Sequence, residues 1–279
     1  MPALRSIRPA VGGVARNPVL VAVSALFALA QFPDLIVRPT ASPGLAAAVS
    51  ALPFGVLILV VPFFQGGLLA MADEALDGRT GVATLVAAGR DHYLPLLVAY
   101  LALVGVSLAF GFLFVVGIVL GVAGSVVSGP AGFVRIPAED VTLVAVVGII
   151  VVGLFGAYLL VTFFQFCAHA VVVDDAELVA AFRRSVRLVR SNLGAALPYT
   201  VILAAVGAAV GLLVAAASLT LAPPAMDAPP AWVPTVEVGT LGAVGLGVGV
   251  VAVTDTLGAL WATYSVAFYR ALAERTPAP

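Results

Sequence analysis

Charged residues divide the chain into long uncharged stretches. Five of these stretches hold 17, 34, 43, 33 and 36 residues, and a last one near the C-terminus is interrupted only by Asp255. An α-helix needs about 20 apolar residues to cross the hydrocarbon core of a bilayer, so each stretch accommodates one crossing. The pattern therefore predicts an all-α, polytopic membrane helix bundle with six transmembrane helices. The predicted spans are 18–36, 46–72, 94–123, 141–172, 194–221 and 239–269.

Turn residues and arginines distinguish the two ends of these spans. Segments 73–93 and 173–193 and both termini lie at one end, which carries eleven of the thirteen arginines; the other two are Arg38 and Arg135. Because cytoplasmic loops carry an excess of basic residues, we expect a multi-pass cell-membrane protein with both termini in the cytoplasm. Turns rich in proline and glycine connect the spans at the opposite end. These predicted turns are 39–44, 128–132 and 223–230.

The first thirty residues also have features of a secretory signal peptide. They combine arginines, an apolar stretch and the small-x-small pattern Ala28-Leu29-Ala30. The apolar stretch continues beyond this pattern to Val37, so we expect an uncleaved first span. Cleavage after Ala30 is the alternative, and a measurement of intact mass distinguishes the two.

Sequence motifs recur at a spacing of 100 residues. Phe63-Phe64-Gln65 recurs as Phe163-Phe164-Gln165, and Arg90 recurs as Arg190. Each copy also has an acidic pair, a short amphipathic segment and two polar residues after the arginine, Asp91-His92 and Ser191-Asn192, and a partial copy opens the chain at Arg16-Asn17. We therefore expect three repeated units, each an interfacial amphipathic helix followed by a transmembrane hairpin.

Two segments, 78–92 and 175–192, are predicted to form interfacial helices. Thr80 is expected to cap the first helix, and Asp174 or Asp175 the second. The second helix has an apolar face opposite a basic face, which is typical of helices that lie at the lipid headgroups. It is either a docking surface for anionic lipid or an anchor that maintains the topology. The expected apolar face is Leu178, Phe182, Val186, Val189 and Leu193, and the candidate headgroup contacts are Arg183, Arg184, Arg187 and Arg190.

Composition excludes several classes of protein. Hydrophobic residues make up 62% of the chain and charged residues 10%, and the mean hydropathy is +1.18. Soluble domains carry about 25% charged residues, so an ordinary soluble globule is excluded. The net charge of −1 provides no basic field for nucleic acid, and the single Cys167 can form no intramolecular disulfide. We expect no nucleic-acid partner, no metal and no cofactor.

Asp255 is the one charged residue within a predicted span. It lies near the middle of the bilayer, about 22 Å from Arg270 along the helix. It is either a functional carboxylate for proton coupling or cation binding, or a neutral one hydrogen-bonded to a neighbouring helix. Gln65 and Gln165 are expected to pair through their amides. The alternative is a solute site, whose members are Asp255, Gln65, Gln165 and His169.

No sequence motif supports an enzyme. The chain lacks a Gly-x-Ser-x-Gly elbow, a His-Glu-x-x-His motif and a convergent pair of carboxylates. Its glycines predict close helix packing instead, because small residues one turn apart let helices approach. The glycine pairs are Gly117 and Gly121, Gly207 and Gly211, and Gly245 and Gly249.

The repeat units resemble a known group of membrane proteins. The segments that carry the resemblance are Gly66–Thr80, His169–Asp175, Phe182–Ser185 and Arg190–Leu193. They look like an uncharacterised family of haloarchaeal multi-pass membrane proteins. That family is similar to the membrane domain attached to some bacterial glycerophosphodiester phosphodiesterases. The resemblance implies a membrane location and six helices, but no diesterase activity, because the hydrolytic barrel with its metal ligands is absent.

These patterns together predict a single integral membrane domain over residues 1–279 that is not an enzyme. We expect a scaffold or accessory protein that acts on lipid, anionic lipid above all, or on a membrane partner such as a second copy. The alternative is a small-solute transporter or channel with an intramembrane carboxylate. A lipid-modifying enzyme comes third, since it needs an accessible carboxylate or histidine pair near the headgroups.

Overall fold

A computed structural model gives the three-dimensional structure of the chain. The residues it describes are 2–29, 43–127, 147–148, 151–153, 155–156, 158–160, 162–221 and 239–276. All regular structure in these ranges is helical, and none of it is strand, which confirms the predicted all-α class. In chain order the helices are α1 (Pro2–Arg5), α2 (Ile7–Arg16), α3 (Val19–Leu29), α4 (Pro43–Asp77), α5 (Val82–Asp91), α6 (Tyr93–Val127), α7 (Cys167–Val173), α8 (Leu178–Ser191), α9 (Leu193–Leu221) and α10 (Thr240–Ala273).

Five helical segments within the described residues are long and apolar enough to cross a membrane. A sixth is added if Ala3–Arg16 and Val19–Leu26, which meet at 85°, form one broken span. The described residues therefore contain five to six apolar helices of membrane-spanning length, against the six predicted. The five segments are Gly55–Asp77, Tyr93–Gly117, Val151–Val173, Leu193–Ala217 and Gly245–Ala273.

The structure corrects the predicted turn at 39–44 and leaves other turns untested. Pro43 and Gly44 start α4 instead of ending a loop. Proline suits this position because its missing N–H belongs to a helix turn that has no backbone partner for it. Residues 39–42, 128–132 and 223–230 lie outside the described residues, as does the part of the first predicted span after Leu29.

Short helices gather at one end of the bundle, which we call the short-helix end. There α2 packs on α10, α5 packs on α4, and α8 packs on α7. A Cβ added to Gly13 in α2 would lie 3.1 Å from Thr263 Cγ2, and one added to Gly89 in α5 would lie 2.8 Å from the Phe63 carbonyl oxygen. In α8, the Ser185 hydroxyl donates to a backbone carbonyl before α7, at 2.6 Å. Small residues therefore allow each short helix to approach a long helix closely.

The closest helix contacts do not involve the glycine pairs singled out by their spacing. A Cβ added to Gly67 in α4 would lie 2.5 Å from the Leu85 carbonyl oxygen of α5. By contrast, no described atom lies within 4 Å of a Cβ added to the later pairs. These open positions are Gly207, Gly211, Gly245 and Gly249. The predicted close packing at these four glycines is therefore wrong.

The predicted helix caps are also wrong, because the capping side chains have charged partners elsewhere. The N-cap residues are Gly81 for α5 and Glu177 for α8, and neither makes a side-chain cap bond. The Thr80 hydroxyl instead donates to the Glu74 carboxylate at 2.8 Å. Asp174 pairs with Arg184. Hydrogen bonds to charged groups are stronger than neutral ones, so these partners are preferred over a cap.

Candidate functional site

Arg270 lies near the C-terminal end of α10 and binds the end of α4. Its Nε lies 2.6 Å from Asp73 Oδ1, and its Nη1 lies 2.9 Å from Asp77 Oδ2. A third guanidinium nitrogen, Nη2, donates to the Asp73 backbone carbonyl at 3.1 Å. A guanidinium presents its N–H groups as a rigid fork, so this geometry fixes α10 against α4 in both position and angle.

The preceding residue, Tyr269, binds the segment that follows α7. Its hydroxyl donates to Asp174, and Asp174 also lies 2.7 Å from Arg184 Nε of α8. Two consecutive residues of α10 therefore bind carboxylates from two earlier segments, since Arg270 binds Asp73 and Asp77 and Tyr269 binds Asp174. We call this set of residues the clamp, and its members are Asp73, Asp77, Asp174, Arg184, Tyr269 and Arg270.

His169 lies behind the clamp, in an interior built largely from aromatic rings. His169 Nε2 lies 2.8 Å from Ser265 Oγ, and both residues are buried. Ser265 Oγ also lies 2.8 Å from the Ala262 backbone carbonyl oxygen, one turn earlier in α10. The His169 ring also stacks on Tyr269, with centroids 5.5 Å apart. The histidine therefore joins α7 to α10.

The predicted pairing of Gln65 with Gln165 is wrong. Gln165 Oε1 accepts a hydrogen bond from the Thr200 hydroxyl of α9 at 3.2 Å. Gln65 is exposed on α4 and has no hydrogen-bond partner among the described residues. The two glutamines thus have different surroundings although they occupy corresponding positions of the sequence motif.

Asp255 is buried within α10, with 5% of its surface exposed. Its Oδ2 has no hydrogen-bond partner in the described part of the chain. Ten residues separate it from Ser265, which corresponds to about 15 Å along a helix. Gln165 and His169 lie one turn apart, but Asp255 and Gln65 do not join them. No hydrogen bond among the described residues joins the four members of the expected solute site, which stays a prediction.

A comparison with protein families covers nearly the whole chain. A family described as Domain of unknown function (DUF7847) matches residues 1–272. The chain belongs to this family. No curated protein and no solved structure matches it. The DUF7847 domain includes every member of the clamp, together with α2, α5 and α8 at the short-helix end.

Three arginines of the DUF7847 domain are exposed on α8 and have no acidic partner among the described residues. They are Arg183, Arg187 and Arg190. Arg184, the fourth candidate headgroup contact, turns inward to the clamp. The buried face of α8 consists of Ala181, Ser185, Leu188 and Val189. Of the expected apolar face, Val189 belongs to the buried face, whereas Leu193 is exposed.

Three polar residues at helix junctions of the DUF7847 domain have structural roles that their sequence pattern does not reveal. Asn17, between α2 and α3, donates to the Gly13 carbonyl at 2.9 Å and the Gly78 carbonyl at 3.0 Å. Its Oδ1 accepts from the Thr80 backbone N–H at 2.9 Å. The side chain therefore ends α2 and also holds the turn that follows α4.

The other two junctions contact later segments in the same way. Asn192, between α8 and α9, donates to the Leu188 carbonyl at 3.1 Å and the Thr276 hydroxyl at 3.0 Å. His92 Nδ1, between α5 and α6, lies 3.8 Å from Asp175 Oδ1. The sequence signal for all three is a polar residue just after an arginine and just before an apolar run.

Proposed function

We propose that the protein is a non-enzymatic membrane scaffold that binds anionic lipid headgroups at its short-helix end. One observation carries the proposal. The clamp pairs Arg184 and Arg270 with carboxylates, whereas the three outer arginines of α8 have no acidic partner among the described residues. An arginine face without carboxylates is complementary to phosphate groups.

The placement of α8 supports contact with lipid. At about 100° per residue, Arg183, Arg187 and Arg190 lie within about 60° of one another. Val179, beside this basic face, is exposed, whereas the opposite face packs on the bundle. A helix held by protein on one side presents its basic side to the interface when the bundle lies in a membrane. These features favour headgroup binding over a purely cytosolic role for the arginines.

The burial of His169 and Ser265 supports a non-enzymatic role. A serine next to a histidine is the arrangement that hydrolases use, but a hydrolase needs a hydroxyl free to lose its proton to that histidine. Ser265 donates to a helix carbonyl, and aromatic rings surround the pair. This serine is buried and therefore lacks the exposure of a nucleophile.

A direct test measures lipid retained by the purified full-length protein. The variant Arg183→Gln, Arg187→Gln, Arg190→Gln is compared with wild type and with the matched variant in which the same residues become Lys. We expect native mass spectrometry to show less phosphatidylglycerol on the Gln variant and wild-type retention on the Lys variant. Equal retention by all three proteins would overturn headgroup binding.

We further propose that the short-helix end and both termini face the cytoplasm. Most of the arginines lie in the short helices, the turns beside them and the terminal segments, and basic residues remain on the cytoplasmic side of a membrane. Epitope tags at each terminus are expected to react only in permeabilised cells. Reaction of either tag in intact cells contradicts the orientation but leaves lipid binding open.

Contacts of the short helices support the proposal of three repeated units. α5 contacts Phe63, α8 contacts Phe163, and α2 contacts Thr263, which places the three docking positions 100 residues apart. The junction residues also follow one rule, since each contacts a segment after a later long helix. The third unit thus accepts the helix of the first, and the units form a closed ring.

The resemblance to haloarchaeal membrane proteins adds to this proposal. We infer that the chain shares its architecture with them and with the membrane domain attached to some bacterial glycerophosphodiester phosphodiesterases. In those enzymes a separate barrel performs the hydrolysis, so a membrane domain of this kind has a non-catalytic role beside it. A membrane protein or a second copy is then a further partner for the scaffold.

Asp255 favours a second candidate function, a carrier coupled to protons or cations. Its carboxyl group is buried about halfway along α10, and one oxygen has no partner among the described residues. Ionisable residues at such depth mark ion pathways in many transporters.

Proton uptake into liposomes separates the carrier from the scaffold. Wild type and Asp255→Asn are reconstituted with an internal pH-sensitive dye, and an electrical potential is imposed across the bilayer. The carrier function predicts uptake by wild type that is lost in the variant. Uptake equal to that of protein-free liposomes contradicts proton coupling at Asp255.

A further inference from the structure

The N-terminal helices α1 and α2 have an apolar side that no described residue covers. Leu4, Ile7 and Val11 are 61%, 43% and 50% exposed. Ile7 and Val11 are four residues apart and therefore share one face of α2. The buried side of α2, which includes Ala10 and Val14, lies about a quarter turn away from this face.

The direction of α2 places this apolar face in the plane of the membrane. α3 packs on α10, where Leu20 and Val23 share a buried cluster with Ala259 and a Cβ added to Gly258 would lie 3.9 Å from Ser24 Oγ. With α10 as the candidate span Gly245–Ala273, the apolar helix α3 packed on it is assigned the direction of the membrane normal. The helical segments Ala3–Arg16 and Val19–Leu26 meet at 85°. α2 therefore lies across the normal, parallel to the bilayer surface.

The depth of α2 also matches an interfacial helix. Gly13 packs against Thr263, which is seven residues before Arg270 and thus about 10 Å from the clamp along α10. Interfacial helices bury their apolar face about 5–10 Å into the boundary between headgroups and acyl chains. With the clamp at the headgroups, the depth of Gly13 below it agrees with the depth of an interfacial helix.

The charges of this segment suit a lipid surface. Arg5 and Arg8 are exposed beside the apolar face, and no acidic residue precedes Asp34 in the sequence. A protein partner of ordinary composition offers both signs of charge, whereas a leaflet offers acyl chains next to phosphates. The combination of an apolar stripe with adjacent arginines favours lipid as the occupant.

We propose that α1 and α2 form an interfacial element inserted in the leaflet at the short-helix end. Leu4, Ile7 and Val11 lie among the acyl chains, and Arg5 and Arg8 bind lipid phosphates. The helices α2 and α3 are then an interfacial helix followed by a crossing, not one broken span. This inference rests on the proposed membrane location, and it is independent of lipid binding by α8.

Fluorescence quenching by lipids with brominated acyl chains tests the insertion. Single cysteines at Val11, Pro9 and Val201 are labelled with an environment-sensitive dye in a Cys167→Ala background. Pro9 lies on the far side of α2 from Ile7 and is exposed, so it is the matched control. Val201 is exposed on α9, inside a candidate span. Each protein is placed as one copy per nanodisc that contains phosphatidylglycerol and brominated phosphatidylcholine.

We expect the labels at Val11 and Val201 to be quenched and the label at Pro9 to remain bright. If Val201 is quenched but Val11 is as bright as Pro9, the insertion is wrong and the membrane location stands. If none is quenched, the membrane location itself fails. If the Val11 label enters an apolar environment only with several copies per nanodisc, the proposal is also wrong, because a second copy then covers this face.

Discussion

Arg270 Nε lies 2.6 Å from Asp73 Oδ1, although 197 residues separate them in the chain. This ion pair joins the end of the last long helix to the end of an earlier one. Tyr269, next to Arg270, joins the same helix to Asp174. The short-helix end is therefore closed by residues from distant parts of the sequence, and the fold depends on long-range contacts there.

Replacement of Asp73 by Asn is expected to destabilise the bundle by about 1.5–3 kcal/mol, the range for a hydrogen bond to a charged group. Asp73 has 26% of its side chain exposed, so solvent screens the pair only in part. The loss leaves the Arg270 guanidinium with a neutral partner at the centre of the clamp. Thermal unfolding in detergent, followed by circular dichroism, measures the change.

Asp77→Asn is the matched control for this prediction. The Asp77 side chain is 72% exposed, and exposed ion pairs contribute only about 0–1 kcal/mol. The same guanidinium is thus tested with a half-buried and an exposed partner. A loss of stability in Asp77→Asn as large as that in Asp73→Asn contradicts the assignment of Asp73 as the dominant partner.

The sequence predicts the helices well because membrane crossing imposes a strong pattern. An apolar run of twenty or more residues between charges has few structural alternatives, so α4, α6, α9 and α10 all fall on predicted spans. The polar markers at Arg16-Asn17, Asp91-His92 and Ser191-Asn192 also coincide with helix ends. Local sequence chemistry is therefore sufficient to predict the long helices and these helix ends.

The clamp and the close contacts could not be predicted in the same way. The Asp174 carboxylate could cap the following helix or bind Arg184 and Tyr269, and only the tertiary arrangement decides between these partners. The same is true of Gly67 and Gly89, which belong to none of the glycine pairs singled out by spacing yet meet a facing backbone. Glycine spacing alone predicts that a helix could approach, but not which helix lies beside it.

Asn17→Asp is expected to destabilise the junction between α2 and α3 by about 1–3 kcal/mol, as for a buried group left without its hydrogen bond. The Asn17 amide donates to two backbone carbonyls, Gly13 and Gly78. A carboxylate can only accept, so it repels both carbonyl oxygens. Asn192→Asp is the comparison, since Asn192 is less buried. Proteolysis near 78–80 is expected to rise in Asn17→Asp and not in Asn192→Asp.

Two results of this proteolysis experiment would contradict the role given to Asn17. If the Asn17 variant resists proteolysis and unfolds like wild type, the asparagine does not hold the turn after α4. A loss of stability with no change at 78–80 would mean that only its bond within α2 matters.

Gly67→Ala is expected to disrupt the packing of α5 on α4. The added methyl group would lie 2.5 Å from a backbone oxygen, which cannot rotate away as a side chain does. Overpacking of this kind costs about 1–3 kcal/mol. In Gly207→Ala the methyl group enters open space, and alanine is the better helix former by about 1 kcal/mol. The midpoint temperature of thermal unfolding is therefore expected to fall for Gly67→Ala and to stay the same or rise for Gly207→Ala. The same shift in both variants would show that α5 does not approach α4 so closely.

Asp175→Gly is expected to hold or raise the stability, whereas Asp175→Val lowers it. Asp175 has φ of 51°, the left-handed region that costs an L residue about 1–2 kcal/mol and glycine almost nothing. The turn is fixed because the Ala176 backbone N–H donates to the Ala170 carbonyl at 3.1 Å. The Asp175 contact with His92 is exposed and contributes little, so its loss in both variants cancels. Thermal unfolding of the two variants in detergent measures the difference. Equal midpoints for Gly and Val would mean that this residue does not hold the left-handed conformation.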